Sequence, residues 1–234
     1  MSESWLENNM YCPNCGNPRV YHLPNNSPVA DYKCDNCGAE FELKSKQGTL
    51  GKKIADGAYS TMIKRITSDS NPDLFLLNYG KSLEVTGLLL VPRFFFVPEI
   101  IERRKPLPET AKRHGWVGCN ILFGKIPEQG KITVIHNGRI IDKNDVINNY
   151  KHIKQLSVKS IDSRGWLLDV LNCVNNINKN EFSLREMYSY VNLLQKKHIN
   201  NNNIEAKIRQ QLQFLRDKGF IEFLGNGKYR KVIV

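Results

Sequence analysis

No stretch of about 18 consecutive apolar residues occurs in the 234-residue chain, so no helix that spans a bilayer is expected. The opening segment, Met1-Ser2-Glu3-Ser4-Trp5-Leu6-Glu7, is polar and acidic and lacks the apolar run of a secretory leader, which points to the cytoplasm. Internal repeats are absent, and the run Asn200 to Asn203 is the one biased segment, so neither a solenoid nor a disordered tail is indicated. Acidic residues are scarce beside basic ones, 23 against 34, leaving a net charge of +11. Such an excess suits a polyanionic partner, because clustered Lys and Arg release counterions from nucleic acid on binding. Cysteine is also sparse, with six in all. Four of them fall in pairs, and in a reducing compartment paired thiols hold metal more readily than they form disulfides. Cys119 and Cys173 have no cysteine neighbours and read as small buried apolar residues.

The pairs are Cys12-Pro13-Asn14-Cys15 and Cys34-Asp35-Asn36-Cys37, separated by 18 residues. That spacing is in the usual zinc window, and four thiolates leave a tetrahedral Zn²⁺ no open position, so the site is structural. Around the second pair stand Asp31, Glu42 and Lys44. Residues two apart on a strand share a face, so Glu42 and Lys44 point together while Phe41 and Leu43 turn toward the core. With Asp31 on the paired strand, zinc fixes the turn of a hairpin that presents both carboxylates. Asp31, Glu42 and the Leu43 carbonyl are hard oxygen donors suited to Mg²⁺. Lys44 would orient or deprotonate an attacking water. The set meets the needs of phosphodiester cleavage, and thiolate and carboxylate sites do not compete for the same ion.

Further along, Gly48 to Gly51 reads as a turn. The recurrence of Ile54, Ala58, Met62 and Ile66 every four residues predicts a helix over roughly 52–67. Leu74 to Leu77 and Val85 to Val91 read as buried strands. A basic stretch punctuated by Pro92, Pro98, Pro106 and Pro108 carries Arg103-Arg104-Lys105, Lys112 and Arg113. Next to it Gly115-Trp116-Val117-Gly118 sets a loop aromatic between glycines, with room for a close partner. Asn137-Gly138, between Ile132 to His136 and Arg139 to Ile141, signals a hairpin with a type I′ turn. Residues 142–162 are polar and charged, with one weak helical pattern, and read as the linker, which divides the chain into 1–158 and 159–234.

Beyond the linker the pattern turns helical. Trp166, Leu167, Val170, Leu171, Val174 and Ile177 form one apolar stripe. Ser183-Leu184-Arg185-Glu186 is a capping box opening a second helix through Leu194. Ile204, Ile208, Leu212 and Leu215 mark a third helix that stops at Gly219. Phe220 to Leu224 and Lys228 to Val234 make a hairpin around Gly225-Asn226-Gly227. Three helices and a hairpin in that order describe a winged helix. Residues 160–234 carry 12 Lys/Arg and 7 Asp/Glu, a net of +5. Lys207, Arg209, Gln210 and Gln213 lie on the third helix, the one that enters the major groove in such folds, where Gln pairs with adenine and Arg with guanine. Lys228, Arg230 and Lys231 are placed to grip phosphates.

The combination resembles the DpnI-type, methyl-directed restriction endonucleases of the PD-(D/E)XK superfamily. The likeness is carried by Tyr11-Cys12-Pro13-Asn14-Cys15-Gly16-Asn17, Pro28-Val29-Ala30-Asp31, Glu40 to Lys46, Asp56-Gly57-Ala58-Tyr59, Gly115 to Asn120, Ser163-Arg164-Gly165-Trp166 and Ile208 to Gln213. It implies an α/β nuclease core, a mixed sheet with flanking helices and a four-cysteine zinc site, followed by a small winged-helix domain. It implies Mg²⁺-dependent cleavage of duplex DNA at GATC carrying N-methylated adenine, by a protein expected to be monomeric. In that resemblance Asp31, Glu42 and Lys44 are the catalytic triplet, and Trp116 lies near the methylated base. Family members carry a helix-length segment before the first knuckle, and here eleven residues precede Cys12. The competing expectation is a non-catalytic regulator built from a zinc ribbon and a winged helix.

Overall fold

The computed structural model describes residues 1–24, 27, 30–68 and 71–232. Pro28 and Val29 of the family-like segment, and the end of the last expected strand at Ile233 and Val234, lie outside the described residues. Two compact units emerge, Met1–Lys154 and Gln155–Val234.

In the first unit the elements run α1 (Ser2–Asn9), β1 (Tyr21–His22), β2 (Tyr32–Lys33), β3 (Glu40–Gln47), β4 (Ile54–Ala58), α2 (Tyr59–Ile66), β5 (Asp73–Tyr79), β6 (Val85–Val91), β7 (Ile101–Arg103), β8 (Gly118–Ile121), β9 (Ile132–His136), β10 (Arg139–Ile140) and α3 (Lys143–Lys154). Among the described residues, seven strands form a mixed sheet in the order β1-β2-β3-β5-β6-β9-β10. The parallel pair in it is β3 with β5, in the register Glu42↔Leu74 and Lys44↔Leu76. A parallel pair needs a crossover, and β4 and α2 supply it. The central strand β5 is a continuous apolar run buried from Leu74 to Leu77, as expected where both faces of a strand are covered. Phe41 of β3 is fully buried and its ring centroid lies 5.1 Å from that of Phe75, whereas Leu43 is only half-buried.

The residues before the first knuckle do form a helix. Leu6 of α1 is fully buried, and the Tyr32 hydroxyl donates to the Glu3 carbonyl at 3.0 Å.

Two expectations are corrected. The segment 52–67 is a strand followed by a two-turn helix, since Ile54 pairs with Ile121 and Asp56 with Cys119 in a second, three-stranded sheet β4-β8-β7. A partner strand about 65 positions away satisfies this backbone, and Gly57 weakens any competing helix by about 1 kcal/mol. Most of the polar stretch 142–162 is α3, whose Val146, Ile147, Tyr150 and Ile153 are buried. Tyr150 donates its hydroxyl to Asp73 Oδ2 at 2.6 Å, and Arg93 N–H donates to Asp73 Oδ1 at 2.8 Å. Complete burial pushes the Asp73 carboxyl pKa up despite these donors. The Asn137-Gly138 turn is as expected, with φ of 49° and 74°.

The second unit comprises α4 (Ile161–Asn176), β11 (Glu181–Ser183), α5 (Leu184–Tyr188), α6 (Val191–Lys197), α7 (Ile204–Asp217), β12 (Ile221–Gly225) and β13 (Lys228–Lys231). The wing is a three-stranded sheet, β11-β13-β12. What periodicity joined into one second helix is broken at Ser189–Tyr190 into α5 and α6. Trp166 and Leu167 of α4, Met187 of α5, Leu194 of α6 and Ile208, Leu212 and Leu215 of α7 are all buried.

The capping box forms as expected. Ser183 N–H and Oγ–H donate to Glu186 Oε2 at 2.8 and 2.9 Å, and Glu186 N–H donates back to Ser183 Oγ at 3.2 Å. The backbone donor of Ser183, then Lys179, hold the Glu186 carboxyl down from 4.5 to about 2. A depressed folded-state pKa gives stability that is present above the ordinary carboxylate value and lost as pH falls through the folded one. Hydrogen-exchange protection of α5 amides is therefore expected to fall between pH 4.5 and about 2, and to be pH-independent there in Glu186→Gln. Equal protection of native α5 at both ends of that window contradicts the assignment.

Candidate active site

The two knuckles are near copies, each ending in a glycine that the geometry requires. Gly16 and Gly38 have φ of 80° and 70°, and their N–H groups donate to the Cys12 and Cys34 carbonyls at 2.8 Å. The left-handed turn closes each loop so that both of its thiols face one point. All four sulfurs lie within 4.8 Å of one another, with Cys12···Cys37 and Cys15···Cys34 both at 3.6 Å. A tetrahedron of Zn–S bonds about 2.3 Å long has edges of about 3.8 Å, so these four residues could hold Zn²⁺ with little movement. Helix α3 braces the first knuckle, Lys143 Nζ donating to the Gly16 carbonyl at 2.8 Å and Lys154 Nζ to Asn14 Oδ1 at 3.0 Å.

The second knuckle is the turn between β2 and β3, where Tyr32 pairs with Phe41 and Lys33 with Glu40. Just before β2, Asp31 N–H donates to the Phe41 carbonyl at 2.9 Å, and Asp31 Oδ2 accepts from Leu43 N–H at 2.7 Å. The Asp31 carboxylate is thus held against the peptide that joins Glu42 to Leu43. On β3, Glu42 and Lys44 share a face as the strand period requires, and Lys44 Nζ lies 2.6 Å from Glu42 Oε1. Glu42 is also 3.5 Å from Arg65 of α2.

Sequence reasoning missed two members of this cluster, Arg65 and Asp56. Asp56 of β4 places Oδ1 2.7 Å from Lys44 Nζ, and its side chain is only 6% exposed. Its segment belongs to the family-like pattern, but a helical reading of 52–67 gives it no reason to face β3. No local signal marks it, since Ile54-Ala55-Asp56 does not alternate apolar with polar residues. Burial, opposed by Lys44 but reinforced by Asp56, raises the Glu42 pKa. Burial alone would lower the Lys44 pKa, but Glu42 and Asp56 hold it well above its ordinary value. Beside the cluster is a cleft of about 350 Å³ whose walls include Lys44, Lys46, Lys53, Ile54 and Leu76.

The aromatic loop is tied to the same second sheet. Tyr59 N–H donates to the Val117 carbonyl at 3.0 Å, and Ala58 pairs with Gly118 two residues after Asp56. Trp116 is half-buried and its ring lies against Gly118, where an added Cβ would come within 2.8 Å of it. The Arg113 guanidinium stacks 4.7 Å from the Trp116 centroid, and Lys112 and Arg113 are exposed.

Residues 1–159 match the family model described as DpnI, the Dam-replacing family, and residues 162–231 match DpnI_C, the Dam-replacing HTH domain. The chain belongs to the DpnI family. It is accordingly a restriction endonuclease with a C-terminal DNA-binding helix-turn-helix domain.

Within the DpnI HTH domain, α7 exposes Gln210 and Gln213, whereas Gln211 is buried. Arg209 is exposed and bonded to the Tyr188 hydroxyl. Lys207 is half-buried, its ammonium 5.9 Å from the Trp166 ring centroid. In the wing Lys228 and Arg230 are exposed, and two of the basic residues expected to grip phosphates also have partners within the fold. Arg230 lies between Glu181 and Glu222 at 2.8 and 3.2 Å, and Lys231 Nζ donates to the Ile177 carbonyl at 2.5 Å. Among the described residues of this DpnI-family chain, no helix is long and apolar enough to cross a membrane.

Proposed function

We propose that the chain hydrolyses both strands of duplex DNA at GATC sites carrying N-methylated adenine, with Asp31, Glu42 and Lys44 as the catalytic set and Mg²⁺ as cofactor. The nuclease unit would span 1–158 and the winged helix 159–234. The observation that carries the proposal is that Asp31 accepts from the Leu43 N–H beside Glu42, and Lys44 pairs with Glu42, on a hairpin whose turn is the second cysteine pair.

The donor set fits a hard cation. Three carboxylates, Asp31, Glu42 and Asp56, gather near Lys44, Arg65 and Leu43, and their number exceeds that of the two cationic side chains. Asp31, Glu42 and the Leu43 carbonyl would hold Mg²⁺, which offsets charge developing on the phosphate and lowers the pKa of a bound water. Lys44 orients that water and faces the phosphate. Trp116, Lys112 and Arg113 would contact DNA near the methylated base, and Lys207, Arg209, Gln210, Gln213 and Lys228 would contact it from the winged helix. From the wing, Arg230 and Lys231 would grip phosphates.

One buried methyl contributes only about 0.8 kcal/mol, and a methylene in a tight pocket discriminates about 10- to 200-fold. Sensing by both units multiplies two such factors. Matched plasmids, methylated and unmethylated at GATC adenines, test the proposal with Mg²⁺ and with EDTA. Cutting is expected only of the methylated plasmid and only with Mg²⁺, and Asp31→Ala should abolish it while sparing DNA binding. DNA binding without cutting by the native protein would instead support a non-catalytic regulator.

A further inference from the structure

Lys44 is held between two acids, and only one of them has another task. Glu42 Oε1 and Asp56 Oδ1 lie 2.6 and 2.7 Å from the same ammonium. If Glu42 turns an oxygen to a cation, as the nuclease reading requires, Lys44 loses one of its two anchors. A lysine on a four-carbon stem has about 2 kcal/mol of rotamer entropy to recover once released. A group that orients a water cannot tolerate that freedom, because a misplacement of 1 Å lowers a rate by about 10²-fold. Asp56 is built to remain. Gly57 N–H donates to its Oδ1 at 2.7 Å, its strand is paired to β8, and its side chain is almost wholly buried. Its Oδ2 is buried and accepts from no donor among the described residues, so removing the charge there breaks no second bond.

We propose that Asp56 is the positioning residue of the cutting site, the fixed carboxylate that keeps the Lys44 ammonium in place when Glu42 serves the cation. It acts through Lys44, from a different strand and sheet, and touches neither DNA nor cation. The proposal rests on the nuclease reading above, and the test separates the two.

Native protein, Asp31→Ala and Asp56→Asn are compared on methylated duplex in single turnover, on DNA affinity in EDTA, and in ¹⁵N spectra of the lysine ammonium groups without DNA, before and after Mg²⁺ is added, with Lys44→Ala assigning the signal. Asp56→Asn is expected to cut about 10²-fold more slowly, with affinity within about twofold of native, and to lose the slowly exchanging Lys44 ammonium signal when Mg²⁺ is added. A rate within about threefold of native in a folded Asp56→Asn protein, or an unchanged Lys44 signal, overturns the proposal. If Asp56→Asn fails to fold, Asp56→Glu, which keeps the charge but moves it by one methylene, takes its place. Slow cutting by Asp56→Glu supports positioning, and cutting at the native rate overturns it. If native protein does not cut at all, the nuclease reading fails, while the ammonium spectra still decide whether Asp56 holds Lys44.

Discussion

Lys44→Ala is expected to slow cleavage of methylated duplex by about 10²- to 10⁴-fold, the range that a positioned proton-handling or water-orienting group contributes. DNA affinity measured in EDTA should change little, because the ammonium is committed to Glu42 and Asp56 rather than presented at the surface. Those carboxylates hold Lys44 charged far above neutral pH, overcoming the opposite pull of burial. A lysine kept charged is a donor, which favours orienting the water and offsetting phosphate charge over taking a proton. Its removal leaves Glu42 and Asp56 without their shared ammonium, but Glu42 keeps Arg65 3.5 Å away. The variant is therefore expected to fold. Single-turnover rates with a thermal-unfolding control decide the matter, and a rate within about tenfold of native would remove Lys44 from the catalytic set.

Stripping zinc is expected to abolish cutting and to open the hairpin that carries Asp31 and Glu42. Structural Zn²⁺ contributes about 10–16 kcal/mol in small folded peptides, against a total stability of about 5–15 kcal/mol for a domain. The four thiols cannot be lost without consequence for β2 and β3, since Cys34–Cys37 is the turn between them. The Gln155–Val234 unit has its own apolar core and contains none of the knuckle cysteines, so its amide protection should survive. Metal analysis should find one zinc per chain. Chelation with hydrogen-exchange mapping should show lost protection around residues 32–47, reversed by added zinc. Unchanged cutting after complete zinc removal would separate the knuckles from the catalytic hairpin.

Much of this architecture is legible in the sequence because its signals act over short distances. The thiol spacings, the glycine after each second cysteine, the shared face of Glu42 and Lys44, the Asn137-Gly138 turn and the Ser183 capping box each depend on residues a few positions apart. Local backbone geometry alone brings such residues together. The same locality explains the errors. Ile54, Ala58, Met62 and Ile66 recur at helical spacing, yet the first two belong to a strand, because β8 offers its backbone bonds from far along the chain. The weak helical pattern of α3 did not stand out because only one of its faces is apolar, and the partners of that face, β9 and Asp73 of β5, are set by the tertiary fold. Nor does spacing show that Arg230 has Glu181 and Glu222 as neighbours, since they approach it only when three strands assemble.

Sequence by itself therefore determined that this chain carries a four-thiolate knuckle pair, an acid-and-lysine hairpin and a winged helix, and it pointed to the DpnI family. Tertiary structure alone decided that Asp56 reaches Lys44, that Trp116 folds over Gly118 on the sheet containing Asp56, and that Arg230 and Lys231 are engaged within the wing. The reason is physical. Spacing along one strand or turn sets which side chains share a face, but only the pairing of distant strands sets what that face meets.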